Sequence, residues 1–286
     1  HHFNGGEGAK YQQQDVALVL TEKAVDWLEG AAQKAKKPFF LYFAHRNVHG
    51  PYAPNERFKG KSEIGVYGDF LLELDWSIGE ILNTIDGLNL ANDTLVFFSS
   101  DNGGVQMGHK PATFVDHYGH MTNGPLRGQK TESLEGGHRV PLLARWPGRI
   151  EPGSTSDELV ALTDVMATLG ELLDIQLAED AGPDSISFLS ALLGRKPKRP
   201  TREILVHDNY RGGYGIRVGD WKLLMIQGGG GIGWSPFDYD RGQPVGQLYN
   251  LKSDLQERDN LFEQHPERVA RMAELLRAIR KMPNSQ

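Results

Sequence analysis

The sequence predicts an α/β layered domain followed by a smaller α+β unit. Three observations carry this. Up to about residue 175, helical apolar stripes alternate with short continuous apolar runs of strand length, the pattern of a mostly parallel sheet covered by helices. Beyond that point short strands pair through a two-residue turn, as antiparallel hairpins do. The chain then closes on one amphipathic helix. The expected domains are residues 1–175 and residues 176–286.

Residues 21–34 read as a helix capped by Thr21, with Ala24, Leu28 and Ala31 at helical spacing and Pro38 as the stop. The run 39–44, Phe-Phe-Leu-Tyr-Phe-Ala, has no polar alternation and predicts a buried parallel strand. A Gly/Pro/Asn-rich loop from His45 leads to residues 66–85, where Val66, Phe70, Leu74, Ile78, Ile81, Leu82 and Ile85 form one apolar stripe. A second buried strand is expected at 94–99, and a long glycine-rich loop region at 101–137, a length that inside a compact domain usually serves function. Val140–Trp146 predicts a strand, and residues 164–173 a helix capped by Thr163 or Asp164.

In the second unit a short helix is expected at 186–193, then strands Ile204–His207, Gly215–Val218 and Trp221–Met225. Gly219-Asp220 is a hairpin turn. Residues 228–261 read as loop and irregular chain. The last helix starts with Pro266 at its first position and buries Val269, Met272, Leu276 and Ile279.

Composition excludes several classes. Across 286 residues, 31 basic and 37 acidic side chains leave a formal charge of −6, unlike a nucleic-acid binder, which shows a basic surplus. Cysteine is absent, so this sequence holds no disulfide, thiolate metal site or cysteine nucleophile. No apolar run reaches the roughly 18 residues of a membrane helix. The first residues lack both an initiator methionine and the apolar core of a signal peptide, and the expectation is that the sequence begins inside a longer protein.

Three loops carry chemistry. Ser99-Ser100-Asp101-Asn102-Gly103-Gly104 follows a predicted strand. Its Asp-Asn pair offers hard oxygens suited to calcium or magnesium, and equally suits an Asx-turn ending a strand. His45-Arg46-Asn47-Val48-His49 follows the other run; a histidine there suits general acid work or an anion contact, or is a surface residue. Arg127 and Lys130 lie in a flexible loop just before Glu135-Gly136-Gly137-His138, where they suit an anionic substrate or a solvated basic loop.

Taken in order, these stretches resemble the formylglycine-dependent sulfatases, and most nearly the arylsulfatase A-like branch. The resemblance rests on Pro38–Tyr42 through His49, Tyr67-Gly68-Asp69 with Glu73-Leu74-Asp75 and Gly79, Asn92–Val96 with Ser100–Gly103, and Leu126–Lys130 with Glu135-Gly136-Gly137 and Arg145–Gly148. Gly219–Leu223 and Leu248–Leu251, followed by Asp254, Glu257 and Asn260-Leu261, extend it, so it spans about residue 16 to 281.

It implies an alkaline-phosphatase-like α/β domain with a smaller C-terminal domain. It also implies that Asp101 and Asn102 bind one calcium ion, that His49 contacts the sulfate and assists the leaving group, and that Lys130 neutralises a sulfate oxygen. His45, Arg127, His109, His117 and His120 are further candidates for substrate contact. The implied partner is a sulfated small molecule or glycan, and the implied location periplasmic or secreted.

The family nucleophile is a formylglycine made from Cys or Ser in a Cys/Ser-x-Pro-x-Arg motif, and neither that motif nor the family's paired N-terminal aspartates occur in this sequence. The sequence therefore reads as the C-terminal portion of a sulfatase, inactive by itself. Apolar surface should lie bare on residues 1–150, ready for a missing N-terminal half or for self-association. Two other readings fit the same residues: a phosphate or phosphonate ester hydrolase of the same superfamily, and a non-catalytic protein that binds sulfated glycans.

Overall fold

The computed structural model describes residues 12–34, 37–105, 119–178, 180–195, 199–232 and 244–282. They form two compact units. The first takes His1–Leu95 and Phe114–His120, and the second Val96–Thr113 and Met121–Gln286.

The first unit is built on two helices, α1 (Val16–Gln33) and α2 (Gly65–Gly87). Ala17, Ala24 and Leu28 of α1 and Phe70 and Ile85 of α2 are buried. Helix α1 begins five residues before the expected Thr21 cap. Thr21 is buried inside it, its Oγ1 donating back to the Ala17 carbonyl (2.7 Å) and meeting Ser77 Oγ (2.6 Å). A threonine that can bond the preceding turn does not need to start a helix.

Residues 39–44 differ more. They form no strand, and their burial alternates: Phe39, Leu41 and Phe43 are half-buried, whereas Phe40, Tyr42 and Ala44 are exposed. Among the described residues no strand pairs with them, so the expected parallel pairing is not formed there. The expected bare apolar surface is present on this segment, with Phe40 73% and Tyr42 81% exposed.

The second unit opens with β1 (Val96–Ser99), the short turn of helix α3 (Glu135–His138) and β2 (Leu142–Arg145). The two strands pair antiparallel, Val96 opposite Arg145 and Ser99 opposite Leu142. Helices α4 (Val165–Leu172) and α5 (Leu189–Leu192) follow. Asp164 precedes α4, but its carboxylate accepts from the Ala161 and Ile186 amides and pairs with Arg202.

A four-stranded antiparallel sheet then runs β3 (Ile204–Asp208), β4 (Tyr214–Val218), β5 (Trp221–Leu224) and β6 (Gln247–Asn250), neighbours in that order. Gly219, with φ +56°, makes the β4–β5 turn possible. Strand β6 lies in the stretch expected to be irregular. One face of the sheet, Ile216, Leu223 and Leu248, packs on Met272, Ala273 and Leu276 of helix α6 (Pro266–Ile279). The other face packs Leu224, Tyr249 and Leu251 on Leu134, the residue before α3. The sheet thus supports the loops that carry the candidate site.

Candidate active site

In the first unit, buried carboxylates of α2 organise the loop that carries His45 and His49. Asp69 accepts the amides of Gly60, Lys61 and Ser62 at 2.8–2.9 Å. Glu73 accepts from Asn47 Nδ2 (2.8 Å) and the Asn55 amide (2.9 Å). His49 is exposed, its Nδ1 2.7 Å from the Gly50 carbonyl. His45 Nδ1 accepts from the Asn47 amide (3.1 Å), and its buried Nε2 has no partner among the described residues. Burial, reinforced by the neighbouring Arg46 charge, lowers the His45 pKa to about 4. His120 stacks at a tilt on Tyr67, ring centres 5.6 Å apart; His109 and His117 lie outside the described residues.

In the second unit, β1 delivers Asp101 and Asn102. Asp101 is exposed. Ser100 Oγ donates to the Asn102 carbonyl (2.9 Å), and Asn102 Nδ2 donates to the Gly103 carbonyl (3.1 Å). The next loop closes against this turn. Lys130 N–H donates to the Gly104 carbonyl (3.3 Å) and Gly103 N–H to the Gly137 carbonyl (2.9 Å). Asn123 bridges both, accepting from the Gly104 amide (2.7 Å) and donating to the Gly104 and Gly128 carbonyls. The structure therefore joins the Asp101–Asn102 and Lys130 loops.

The Lys130 side chain is half-buried, and its ammonium has no hydrogen-bond or ion-pair partner among the described residues. Thr131 behind it has φ +80°, a costly angle for a β-branched residue. It is held there by neighbours: its carbonyl accepts from the Tyr210 amide (3.0 Å), and Ser133 N–H donates to the Gly229 carbonyl (2.9 Å). Arg127 turns toward the sheet, with Nη1 donating to the Glu257 carbonyl (2.8 Å) and to Tyr249 Oη (3.4 Å).

Beneath α3 lies an ionic cluster that sequence reasoning missed. Lys222, fully buried on β5, places Nζ 2.9 Å from Glu135 Oε1, 2.8 Å from Glu257 Oε1 and 3.1 Å from His138 Nε2. Burial alone would raise the Glu135 pKa, but Lys222, His138 and Arg139 outweigh it and hold it at about 2. Burial pushes Glu257 upward against the pull of Lys222. Burial, followed by the Lys222 charge, lowers His138 to about 4. The signals in the sequence were Glu135 and His138 in the Glu-Gly-Gly-His stretch, Lys222 in Gly219–Leu223 and Glu257 in the C-terminal motif.

Calcium takes roughly six to eight oxygens. The Asp101 carboxylate and the Asn102 side-chain oxygen have the right chemistry, and both lie at a loop surface rather than in the core. No group of three or more His, Cys, Asp or Glu suited to a metal occurs among the described residues. The pair therefore fits as part of a coordination shell.

The fold and these loops define a sulfatase. The sulfatase family model matches residues 10–175, and the chain belongs to that family. It is 37% identical over 280 residues to an N-acetylgalactosamine-6-O-sulfatase of Bacteroides thetaiotaomicron, covering 97% of this chain and 53% of that protein. Human steryl-sulfatase is 37% identical over 188 residues, 66% of this chain and 31% of the enzyme. A solved sulfatase from the Bacteroides thetaiotaomicron locus for metabolism of multiple glycosaminoglycans superposes with TM-score 0.87 at 37% identity, covering 97% of this chain and 57% of its own. The chain thus has the alkaline-phosphatase-like sulfatase fold with a small strand-rich C-terminal part, and spans about half or less of these relatives' length. Among the described residues no helix is long and apolar enough to cross a membrane.

Proposed function

We propose that this chain supplies one part of the active site of a sulfuric ester hydrolase acting on sulfate monoesters of a glycan. The observation that carries the reading is half-buried Lys130, whose ammonium has no partner among the described residues, on a loop hydrogen-bonded to the Asp101–Asn102 turn. A cation with no protein partner, held beside such a turn, suits an anionic ligand better than a structural role. The relatives that act on sulfated N-acetylgalactosamine support a sulfated amino sugar as substrate. The family match ending at residue 175 supports a catalytic domain over 1–175 and a small C-terminal domain over 176–286.

In this reading Lys130 neutralises a sulfate oxygen, lowering the cost of bringing a nucleophile to an anion. His49 donates a proton to the leaving oxygen as the S–O bond breaks. Asp101 and Asn102 hold part of a calcium shell; when bound, that ion would add positive charge beside the sulfate. The formylglycine expected in the family would supply the nucleophile, and this sequence contains no motif for it. His45 and Arg127 are carried as substrate-side residues that also brace their loops. A periplasmic or secreted location goes with a glycan substrate.

The test is turnover of an aryl sulfate and of 6-sulfated N-acetylgalactosamine by the protein that carries this sequence. Lys130→Ala should lower turnover by about 10²–10³, the usual loss for one electrostatic stabiliser. The 286-residue chain by itself should show no hydrolysis above background. Preferential hydrolysis of phosphate esters, or undiminished activity without Lys130, would overturn the assignment.

A further inference from the structure

We propose that Lys222 is a positioning residue for the loops that carry Asp101, Asn102 and Lys130, acting through Glu135 and Glu257; this rests on the sulfatase reading above. A buried ammonium is a poor way to stabilise a sheet, because well-packed apolar residues usually do as well or better. Lys222 is nonetheless fully buried, on the same face of the sheet as Leu224 and Tyr249, where it donates to Glu135, pairs with the Glu257 carboxylate at 2.8 Å and lies 3.1 Å from His138 Nε2, a nitrogen that is also 3.1 Å from the Ser133 carbonyl. An ammonium carries three donors, and here it is enclosed by two carboxylates and an imidazole. What such a site offers is a defined geometry.

Glu135 is fixed at both ends. Its carboxylate takes Lys222 through Oε1 and Arg139 through Oε2 (3.1 Å), and its own amide donates to Glu257 Oε2 (2.6 Å). Glu257 is held at φ +55°, in the left-handed region, and its carbonyl takes Arg127. A strained residue with this many partners is one the surroundings over-determine.

From Glu135 the path to the candidate site is two residues of backbone. Gly136 N–H donates to the Arg127 carbonyl (2.7 Å), and the Gly137 carbonyl accepts from Gly103. There is no slack in this contact. A Cβ on Gly103 would run into the Gly136 carbonyl, one on Gly136 into the Gly128 carbonyl, and one on Gly137 into the Glu132 carbonyl. A shift of α3 must therefore move Gly103, next to Asn102, and the loop between Arg127 and Lys130. Since a misplacement of about 1 Å can cost on the order of 10² in rate, the cluster is placed to set activity without touching substrate.

The experiment compares wild type, Lys222→Met and Glu135→Gln in the protein that carries this sequence, well below the unfolding temperature. Amide hydrogen exchange is read at Gly103 and Lys130 and, as a reference, at Ile216 and Leu223 in the sheet. Turnover of an aryl sulfate is split into kcat and KM. The expected result is exchange faster by about tenfold or more at Gly103 and Lys130 with the reference amides unchanged, and kcat lower by about 10–100-fold with KM within about twofold. Unchanged exchange at Gly103 and Lys130, or kcat retained within about twofold, would overturn the proposal. So would equal loss of protection at the reference amides, which is simple destabilisation. If Lys222→Met does not fold, Glu135→Gln, which keeps size and an acceptor, carries the same comparison. A wild type inactive on sulfate esters would defeat the functional reading alone, and the exchange comparison would still decide the positioning role.

Discussion

Two apolar stretches of this chain meet opposite fates. Residues 39–44 leave Phe40 and Tyr42 largely exposed, whereas Ile216, Leu223 and Leu248 are fully buried. Hydrophobicity does not separate them; Phe-Phe-Leu-Tyr-Phe-Ala is the more apolar run. Neighbours do. Strand β5 has β4 on one side and β6 on the other, helix α6 over one face and Leu134 on the second. Residues 39–44 have no strand partner among the described residues, and the half-buried Phe39 and Phe43 make edge-on ring contacts with Trp27 and His45. An apolar run predicts the capacity to be buried; burial itself is a property of what surrounds it.

The largest expected effect sharpens that contrast. Leu248→Ala should cost about 2–5 kcal/mol, the range for emptying a closed core site, while Phe40→Ser should change unfolding free energy by no more than about 0.5 kcal/mol. Urea titration of both variants checks this, and similar losses would break the comparison. The same Phe40→Ser change, combined with Tyr42→Ser, should reduce self-association measured by light scattering.

The next effect is acid sensitivity of the buried cluster. His138 has a folded pKa of about 4 against an ordinary 6.5, and Glu135 about 2 against 4.5. In both cases the unfolded chain binds the proton more readily, so stability falls as pH drops. The His138 contribution is complete above about 6.5 and is lost toward 4; the Glu135 contribution is lost between about 4.5 and 2. Melting temperature should decline from pH 7 to pH 4. A His138→Gln variant with the same slope over that interval would count against this attribution, once the parallel contributions of His45, also lowered to about 4, and of His207, stacked on His138 and lowered by burial, are removed by substitution.

The smallest effect concerns the strained residue after Lys130. Thr131→Gly should relieve the +80° φ and stabilise the chain by about 0.5–1 kcal/mol. Thermal denaturation reads the gain, and a loss of that size would mean that the Thr131 side chain holds its loop more firmly than its backbone strains it.

Much of the fold was legible. The apolar stripes of α2 and α6, the Pro266 start and the Gly219-Asp220 hairpin all follow local rules. Strand β6 was not legible, because Leu248-Tyr249 is a two-residue apolar signal between Gln247 and Asn250 after a glycine-rich stretch. Its partner β5, far back in the chain, is what makes it a strand. The candidate site divides the same way. Asp101, Asn102, His49 and Lys130 sit in short motifs that sequence can carry. The brace beneath them joins Lys222 to Glu135 across 87 positions and Glu135 to Glu257 across 122, and no local spacing encodes such pairings. Asp69 and Glu73 were visible as part of a motif, but their work in holding the 45–62 loop appears only in the hydrogen bonds.

The closed environment of Lys222 also makes the chain its own unfolding clock. An amine with no exposed surface cannot meet an acylating reagent until the sheet opens, whereas the Lys130 amine, half-exposed, is available in the folded state. Mass spectrometry of the two labelled peptides would give one rate set by reagent chemistry and one set by opening. Their ratio follows folding at any protein concentration, in an amine-free buffer of fixed pH and with no substrate present.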